Sequence, residues 1–116
     1  MAKARVPMVR LTDLLVLSVL ANGECYAQQI ITAVTSASGG RVKLGRSVVH
    51  YALRRLERGK LIEAHWQVAA AGQRRGERQH YRLTEQGLET LGGFSQLFAG
   101  LWAPHASARL KEVAGL

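Results

Sequence analysis

Residues 46–58 separate into an apolar and a basic face when they are placed on a helix with about 100° between successive residues. The apolar face consists of Val49, Ala52, Leu53 and Leu56. The opposite face, flanked by His50 and Arg55, carries Ser47, Tyr51, Arg54 and Arg58. Gly59 follows as a stop signal. A helix of this kind must bury one side against other elements of the fold and leave the basic side in solvent.

The net charge of +8 comes from one part of the chain. Residues 41–82 contain 11 of the 16 Lys and Arg residues and three of the eight acidic residues, whereas the rest of the chain is balanced. A concentrated positive charge creates a local field that favours a polyanion such as nucleic acid. A basic surface that only keeps the protein in solution is the alternative that charge alone leaves open.

Two helices are predicted before the amphipathic one. Thr12 or Asp13 is suited to cap the first, which runs through Leu20 and ends at Asn22 and Gly23. Because apolar residues surround this helix, we expect it in the centre of the core. The second helix is predicted over residues 26–36, with an inner stripe of Tyr26, Ile30, Ile31 and Val34.

A β-hairpin is predicted after the amphipathic helix. Residues 61–68 and 78–83 have strand character, and the loop between them holds two glycines and two arginines. Thr84 then caps a fourth helix, Pro104 stops or kinks it, and residues 106–113 form a short last helix. The predicted fold class is mainly α with a small β-hairpin: a winged helix-turn-helix with an additional C-terminal dimerisation helix.

Three parts are expected along the chain: a basic N-terminal arm over residues 1–10, a winged-helix DNA-binding domain over 11–84, and a C-terminal helical dimerisation region over 85–116. A helix fits the major groove of B-DNA, where Arg reads guanine through two hydrogen bonds. Ser, His and Tyr side chains contact bases or phosphates. The residues predicted to bind DNA lie on the third helix and in the hairpin: Arg46, Ser47, His50, Tyr51, Arg54, Arg58, Arg74, Arg75 and Arg78.

An apolar seam marks the fourth helix as a pairing element and predicts a homodimer. It is formed by residues at helical intervals: Leu91, Phe94, Phe98 and Leu101. Gly92 and Gly93 weaken an isolated helix, so this helix needs a partner surface or is broken there. Phe98 and Trp102 form a candidate pocket for a small aromatic effector, although filling an interface is the simpler role for both rings. Trp66 is likewise assigned to the core or an interface.

Enzymatic and metal-binding functions find no support in the sequence. Asp13 is the only aspartate, no His, Asp and Glu residues have the spacing of a metal site, and nothing completes a nucleophilic triad with Ser47 and His50. We therefore expect no enzyme activity, no cofactor and no metal. The single Cys25 excludes an internal disulfide and is typical of a reducing compartment. With no membrane-spanning run and no signal peptide in the sequence, we expect a cytoplasmic protein.

Two strings of residues stand out because of their content and separation. Residues 52–63 read ALRRLERGKLIE, a string shared by many winged-helix regulators, and residues 81–87 read YRLTEQG. With LLVL at 14–17, ANG at 21–23 and Trp66, these strings resemble the PadR-like transcriptional regulators over residues 11–91. The second string at this distance from the first makes the resemblance specific.

The resemblance implies a cytoplasmic homodimer that occupies a DNA operator, usually as a repressor, and that dimerises through C-terminal helices. Some members release DNA when a small aromatic molecule binds. His50 and Tyr51 stand where the family often has a tyrosine followed by a proline, so base preferences do not carry over. The loop of the predicted β-hairpin, which forms the wing, is longer than in compact members of the family. The chain after Gly92 follows no family pattern.

These observations together predict a homodimeric, sequence-specific repressor that binds a palindromic operator in double-stranded DNA. The alternative from another class is a winged-helix interaction module whose basic face binds an acidic protein. Binding to a DNA duplex with a steep salt dependence and a preference for one sequence would distinguish the two.

Overall fold

Helices form most of the chain, and a small antiparallel sheet packs among them. The computed structural model describes residues 6–67 and 78–114. Its elements in chain order are α1 (Leu11–Leu20), β1 (Cys25–Tyr26), α2 (Ala27–Ala37), α3 (Arg46–Arg58), β2 (Ile62–Gln67), β3 (Arg78–Leu83), α4 (Glu85–Leu101) and α5 (Pro104–Ala114). The described strands form one sheet in the order β1-β3-β2. The mainly α architecture with a β-hairpin confirms the predicted fold class.

The hydrophobic core lies where α1, α2 and α3 pack together. Leu17 of α1, Ile30 of α2 and Leu53 of α3 are each at most 1% exposed. Burying an aliphatic side chain of this size stabilises a fold by about 1.5–3 kcal/mol. The predicted apolar face of α3 is confirmed, because all four of its residues are buried: Val49, Ala52, Leu53 and Leu56. The opposite face of α3 is therefore directed towards solvent.

The two-residue strand β1 was not predicted from the sequence. Cys25 and Tyr26 pair antiparallel with β3 and extend the hairpin to a sheet of three strands. Tyr26 has extended backbone angles, so α2 begins at Ala27, one residue later than predicted. The backbone N–H of Tyr26 donates to Gln29 Oε1 at 3.0 Å, which closes the first turn of α2. Two residues between helices carry too weak a sequence pattern to reveal a strand.

The first turn of α1 also differs from the prediction. The helix begins at Leu11, and Arg10 occupies the N-cap position without a side-chain hydrogen bond, so capping by Thr12 or Asp13 is wrong. Asp13 lies within the first turn, 4% exposed. Its carboxylate accepts two hydrogen bonds from Arg55 of α3, Nη2 to Oδ1 at 2.6 Å and Nε to Oδ2 at 3.3 Å. The favourable helix dipole and this bidentate partner explain how a carboxylate is buried here.

A close backbone contact at Gly87 fixes α4 against the end of α3 and the start of β2. A Cβ atom at Gly87 would lie 2.0 Å from the carbonyl oxygen of Leu61. Thr84 caps α4 as predicted, since its Oγ1 accepts from the Gly87 N–H at 3.0 Å. The same hydroxyl donates to the Lys60 carbonyl at 2.7 Å. Residues 81–87 thus form a tight turn from β3 into α4, held against the backbone of Lys60 and Leu61.

α4 continues without a break through its two adjacent glycines. A Cβ atom at Gly93 would lie 2.4 Å from Val6 Cγ2, whereas Gly92 has no atom within 4 Å of its Cβ position. The chain segment before α1 therefore supplies the partner surface that the sequence required at Gly93. α4 ends at Leu101 and α5 starts at Pro104, two residues earlier than predicted. Proline is well suited to a first helical position, where its missing N–H has no intrahelical partner to lose.

We predict that Gly87→Ala lowers the free energy of unfolding by about 3 kcal/mol, because the methyl group must displace the Leu61 backbone. Gly92→Ala, in the same helix with open space around it, is the control and should raise stability by up to about 1 kcal/mol. Urea denaturation measures both. Equal stability of Gly87→Ala and the wild type would contradict the proposed role of this contact.

Candidate nucleic-acid interface

The outer face of α3 is a continuous surface of cationic and polar side chains. All six DNA-binding residues that the sequence predicted on this helix are exposed: Arg46, Ser47, His50, Tyr51, Arg54 and Arg58. Tyr51 is 61% exposed, which is high for a large aromatic residue. The acidic residue of α3, Glu57, lies beside this face and is also exposed. The surface thus remains predominantly positive.

Two side-chain contacts position α3 on the helices beneath it. Near its start, Arg46 Nη2 lies 3.4 Å from Gln28 Oε1 of α2. Near its end, Arg55 forms the ion pair with Asp13. The hydrogen bond to Asp13 raises the pKa of the Arg55 guanidinium above its ordinary value, against the opposing effect of burial. Arg55 is therefore an anchor that holds α3 to α1, and Arg54 provides the outward cation beside it.

Tyr81 connects the sheet to the core beneath α3. Its side chain is 7% exposed, and its hydroxyl lies 3.1 Å from Gln79 Oε1, to which it donates. Burial raises the pKa of the Tyr81 phenol, the charge of Glu57 adds to the increase, and Arg54 opposes it. The phenol consequently stays protonated at neutral pH and acts as a hydrogen-bond donor within the fold.

Trp66 is a feature of this surface that the sequence analysis did not identify. The sequence assigned it to the core or an interface, and its 62% exposed side chain excludes the core and leaves an interface. It lines a notch of about 310 Å³ together with Gln28, Arg46 and His50, beside the start of α3. Alternation along β2 places Trp66 on the same side as the buried Ile62. The strand extends beyond the core at this point, which a periodic pattern cannot show.

Three predicted DNA contacts fall on the connection between β2 and β3 or at the first residue of β3. Arg74 and Arg75 lie outside the described residues. Arg78 begins β3, and its side chain is likewise outside the described part. Trp66, the penultimate residue of β2, lines the notch beside the start of α3. The end of β2 therefore lies near the start of α3.

The predicted dimer seam divides into a buried and an exposed half. Phe94 is 6% exposed, and Leu91 packs against the core of its own chain. Leu101 is 64% exposed, and Phe98 is half-buried. Phe98 and Trp102, the candidate effector pair, do lie together with ring centroids 5.3 Å apart. Further exposed apolar side chains follow on α4 and α5: Leu97, Leu110 and Val113.

Residues 6–67 and 78–114 hold neither a cluster of metal-ligating side chains nor a membrane-spanning helix. In those ranges no three His, Cys, Asp or Glu side chains are arranged to hold a metal ion. No helix in the same ranges combines the length and the apolar character that crossing a membrane requires.

Three helices followed by a β-hairpin, with an exposed basic third helix, define a winged helix-turn-helix protein. A model of the PadR-like family of transcriptional regulators matches residues 16–92, and the chain belongs to this family. Its members are transcriptional regulators and not enzymes, as the sequence analysis expected. No curated protein matches the chain at a significant level.

Solved structures of the family are similar to this chain. A PadR family transcription regulator from Clostridium difficile is 25% identical with a TM-score of 0.65, over 79% of this chain and 91% of that one. A PadR-like regulator from Bacillus cereus is 22% identical with a TM-score of 0.65, over 87% of this chain and 88% of that one. Bacillus subtilis PadR, solved in complex with operator DNA, is 20% identical with a TM-score of 0.64, over 73% of this chain and 46% of that one.

We predict that Asp13→Ala destabilises the protein more than an exposed ion pair would suggest, because Arg55 loses its buried partner. Glu63→Gln is the control, since the Glu63–Arg82 pair is more than half exposed and should cost about 0.5 kcal/mol or less. Urea denaturation of Asp13→Ala, Arg55→Ala and the double variant gives the coupling between the two residues. Additive losses in the double variant would contradict the anchoring role of the pair.

Proposed function

We propose that this protein is a cytoplasmic, homodimeric transcriptional repressor that inserts α3 into the major groove of a palindromic operator. The observation that carries the proposal is the exposed face of α3, where Arg54 and Arg58 point away from a completely buried apolar face. A rigid helix with outward cations is what major-groove reading requires. A bound dimer represses by excluding other proteins from its DNA site.

The position of each side chain on α3 suggests a division of roles. Arg46 and Ser47 lie in the first turn, where backbone N–H groups and the helix dipole favour a phosphate. Arg54, in the middle of the exposed face, has the reach and geometry to bond guanine O6 and N7. Trp66 and His50 border the notch beside the helix and are suited to contact sugar or a base methyl group. The wing residues Arg74, Arg75 and Arg78 are proposed to contact the adjacent backbone.

The operator complex of Bacillus subtilis PadR supports DNA as the partner. This chain spans less than half of that protein, since it covers 46% of it, and the similarity extends over 73% of this chain. The similarity therefore supports DNA binding by the winged-helix part of the chain. The contacts proposed for individual residues are inferred from the exposed side chains of α3.

We predict that Arg54→Ala reduces affinity for the specific operator by about 1–3 kcal/mol and narrows the preference for it over other duplexes. Lys111→Ala, an exposed cation on α5 outside the apolar side formed by Trp102, Leu110 and Val113, is the control and should leave operator affinity close to that of the wild type. Fluorescence anisotropy over a series of salt concentrations measures both affinity and the number of phosphate contacts.

Wild-type affinity of Arg54→Ala at every salt concentration would refute reading by α3. Failure of the wild type to bind any duplex, together with salt-dependent binding of an acidic protein, would favour the interaction-module alternative instead.

Dimerisation is proposed through the end of α4 and through α5. The described residues there leave large apolar side chains in solvent: Leu97, Leu101, Trp102, Leu110 and Val113. Grouped exposure of this kind marks an interaction surface on a protein in solution. Phe98 and Trp102 extend the stack that starts at Phe94, with successive centroid distances of 6.4 and 5.3 Å. We assign this aromatic pair to the dimer contact in preference to an effector pocket.

We predict that Leu101→Glu gives a folded monomer with weakened affinity for a palindromic operator, because Leu101 is 64% exposed in the single chain and its loss disturbs no core. Gln96→Glu, exposed in the same helix and directed to another side, is the control. Light scattering at micromolar concentration and circular dichroism report mass and fold. A monomeric wild type would contradict the dimer.

A further inference from the structure

An apolar groove lies between α1 and α2, away from the aromatic stack of α4. It encloses about 550 Å³, a volume in the range of small-molecule sites. Half of its lining residues carry aliphatic side chains: Leu15, Val19, Ala33, Val34, Ala37 and Val42. None of the candidate dimer or effector residues of α4 takes part in it. The groove is therefore a separate candidate site.

Glu24 is the charged residue of this groove. Among the lining residues, all of which the structure describes, no other carries a formal charge at neutral pH. Burial, and secondly the charge of Glu24, raises the pKa of the Cys25 thiol, so this neighbour remains neutral. Ser18 donates to the Leu14 carbonyl at 2.7 Å, and Ser38 accepts from the Val42 N–H at 2.9 Å. Both serines are thus engaged within the fold, and the Glu24 carboxylate is the group at the rim suited to a charged ligand.

Glu24 also connects the groove to the wing strands. Its Oε1 pairs with His65 Nε2 of β2 and lies 3.9 Å from His80 Nδ1 of β3. His65 and His80 are register partners, and their strands lead into the connection that carries Arg74 and Arg75. Glu24 therefore lines the apolar groove and also pairs with the hairpin proposed to contact DNA.

We propose that this groove binds an organic cation, an ammonium group carried on an aromatic or aliphatic body, and that binding weakens operator affinity by withdrawing Glu24 from His65. The regulatory half of this proposal rests on the proposed function. Charge complementarity selects the ligand class. A chain of net charge +8 repels cations in general, and Glu24 is the acid that attracts a cation to this groove. The apolar lining accommodates the hydrocarbon body, and the ammonium group lies at Glu24.

The binding half is tested without DNA, with naphthylmethylammonium and its neutral counterpart naphthylmethanol as probes in calorimetric titrations. The wild type should bind the ammonium about fivefold more tightly than the alcohol, the difference expected for a partly exposed ion pair. Glu24→Gln should bind both equally. Glu63→Gln, which removes an acid from a cross-strand pair of the same hairpin but outside the groove, should keep the preference.

The location of binding is tested by filling the groove. Ala37→Phe places a large side chain on its wall and should abolish binding of both probes. Ser36→Phe, the adjacent exposed position outside the groove, should bind like the wild type. Equal affinity of the wild type for both probes, or unchanged binding by Ala37→Phe, would overturn the site. Absence of binding by either probe would also overturn it and would favour a second copy covering the groove.

The regulatory half is tested by measuring operator affinity with saturating naphthylmethylammonium. The wild type should lose affinity and Glu24→Gln should not, and operator DNA should weaken binding of the ammonium by the same factor, as linkage requires. Unchanged operator affinity would overturn the coupling. A wild type that binds the ammonium in the groove but binds no duplex would overturn the proposed function and leave the cation site standing.

Discussion

The burial of one face of α3 against α1 and α2 is the interaction on which the rest of the structure depends. Val49, Leu53 and Leu56 are excluded from water almost completely, so the helix has one orientation in which its apolar side is satisfied. The Asp13–Arg55 pair adds a directional contact to this non-directional one and restrains rotation of α3 about its axis. Because of that orientation, Arg54 and Arg58 face outward.

The remaining elements take their positions from the end of this helix. Lys60 adopts a positive φ of 62°, and the chain turns directly into β2. Thr84 and Gly87 then bring α4 onto the same turn through contacts with the Lys60 and Leu61 backbone. The hairpin and α4, the proposed dimer helix, are thus both positioned by this one turn at the end of α3. A change at this corner would alter the spacing of two α3 helices in a dimer as well as the stability of one chain.

Local patterns predicted the parts of this structure that depend on local rules. The amphipathic period gave both faces of α3, and the Thr84 cap followed from its position before a helix. Features that need distant partners were missed. Asp13 was predicted as a possible cap of α1, because its actual partner, Arg55, is 42 residues away in the sequence. The exposure of Trp66 depends on where β2 passes the edge of the core, and β1 exists only because β3 offers it a free edge.

In the proposed function, α3 reads a specific DNA sequence in a two-fold symmetric complex. Selection of bound duplexes from a random pool tests it most directly, because it asks for binding and for a site together. The account predicts enrichment of an inverted repeat whose half-site centres lie one helical turn apart or a multiple of it, on the order of ten base pairs. A pool that remains random after repeated selection, at salt concentrations where the protein is folded, would contradict it.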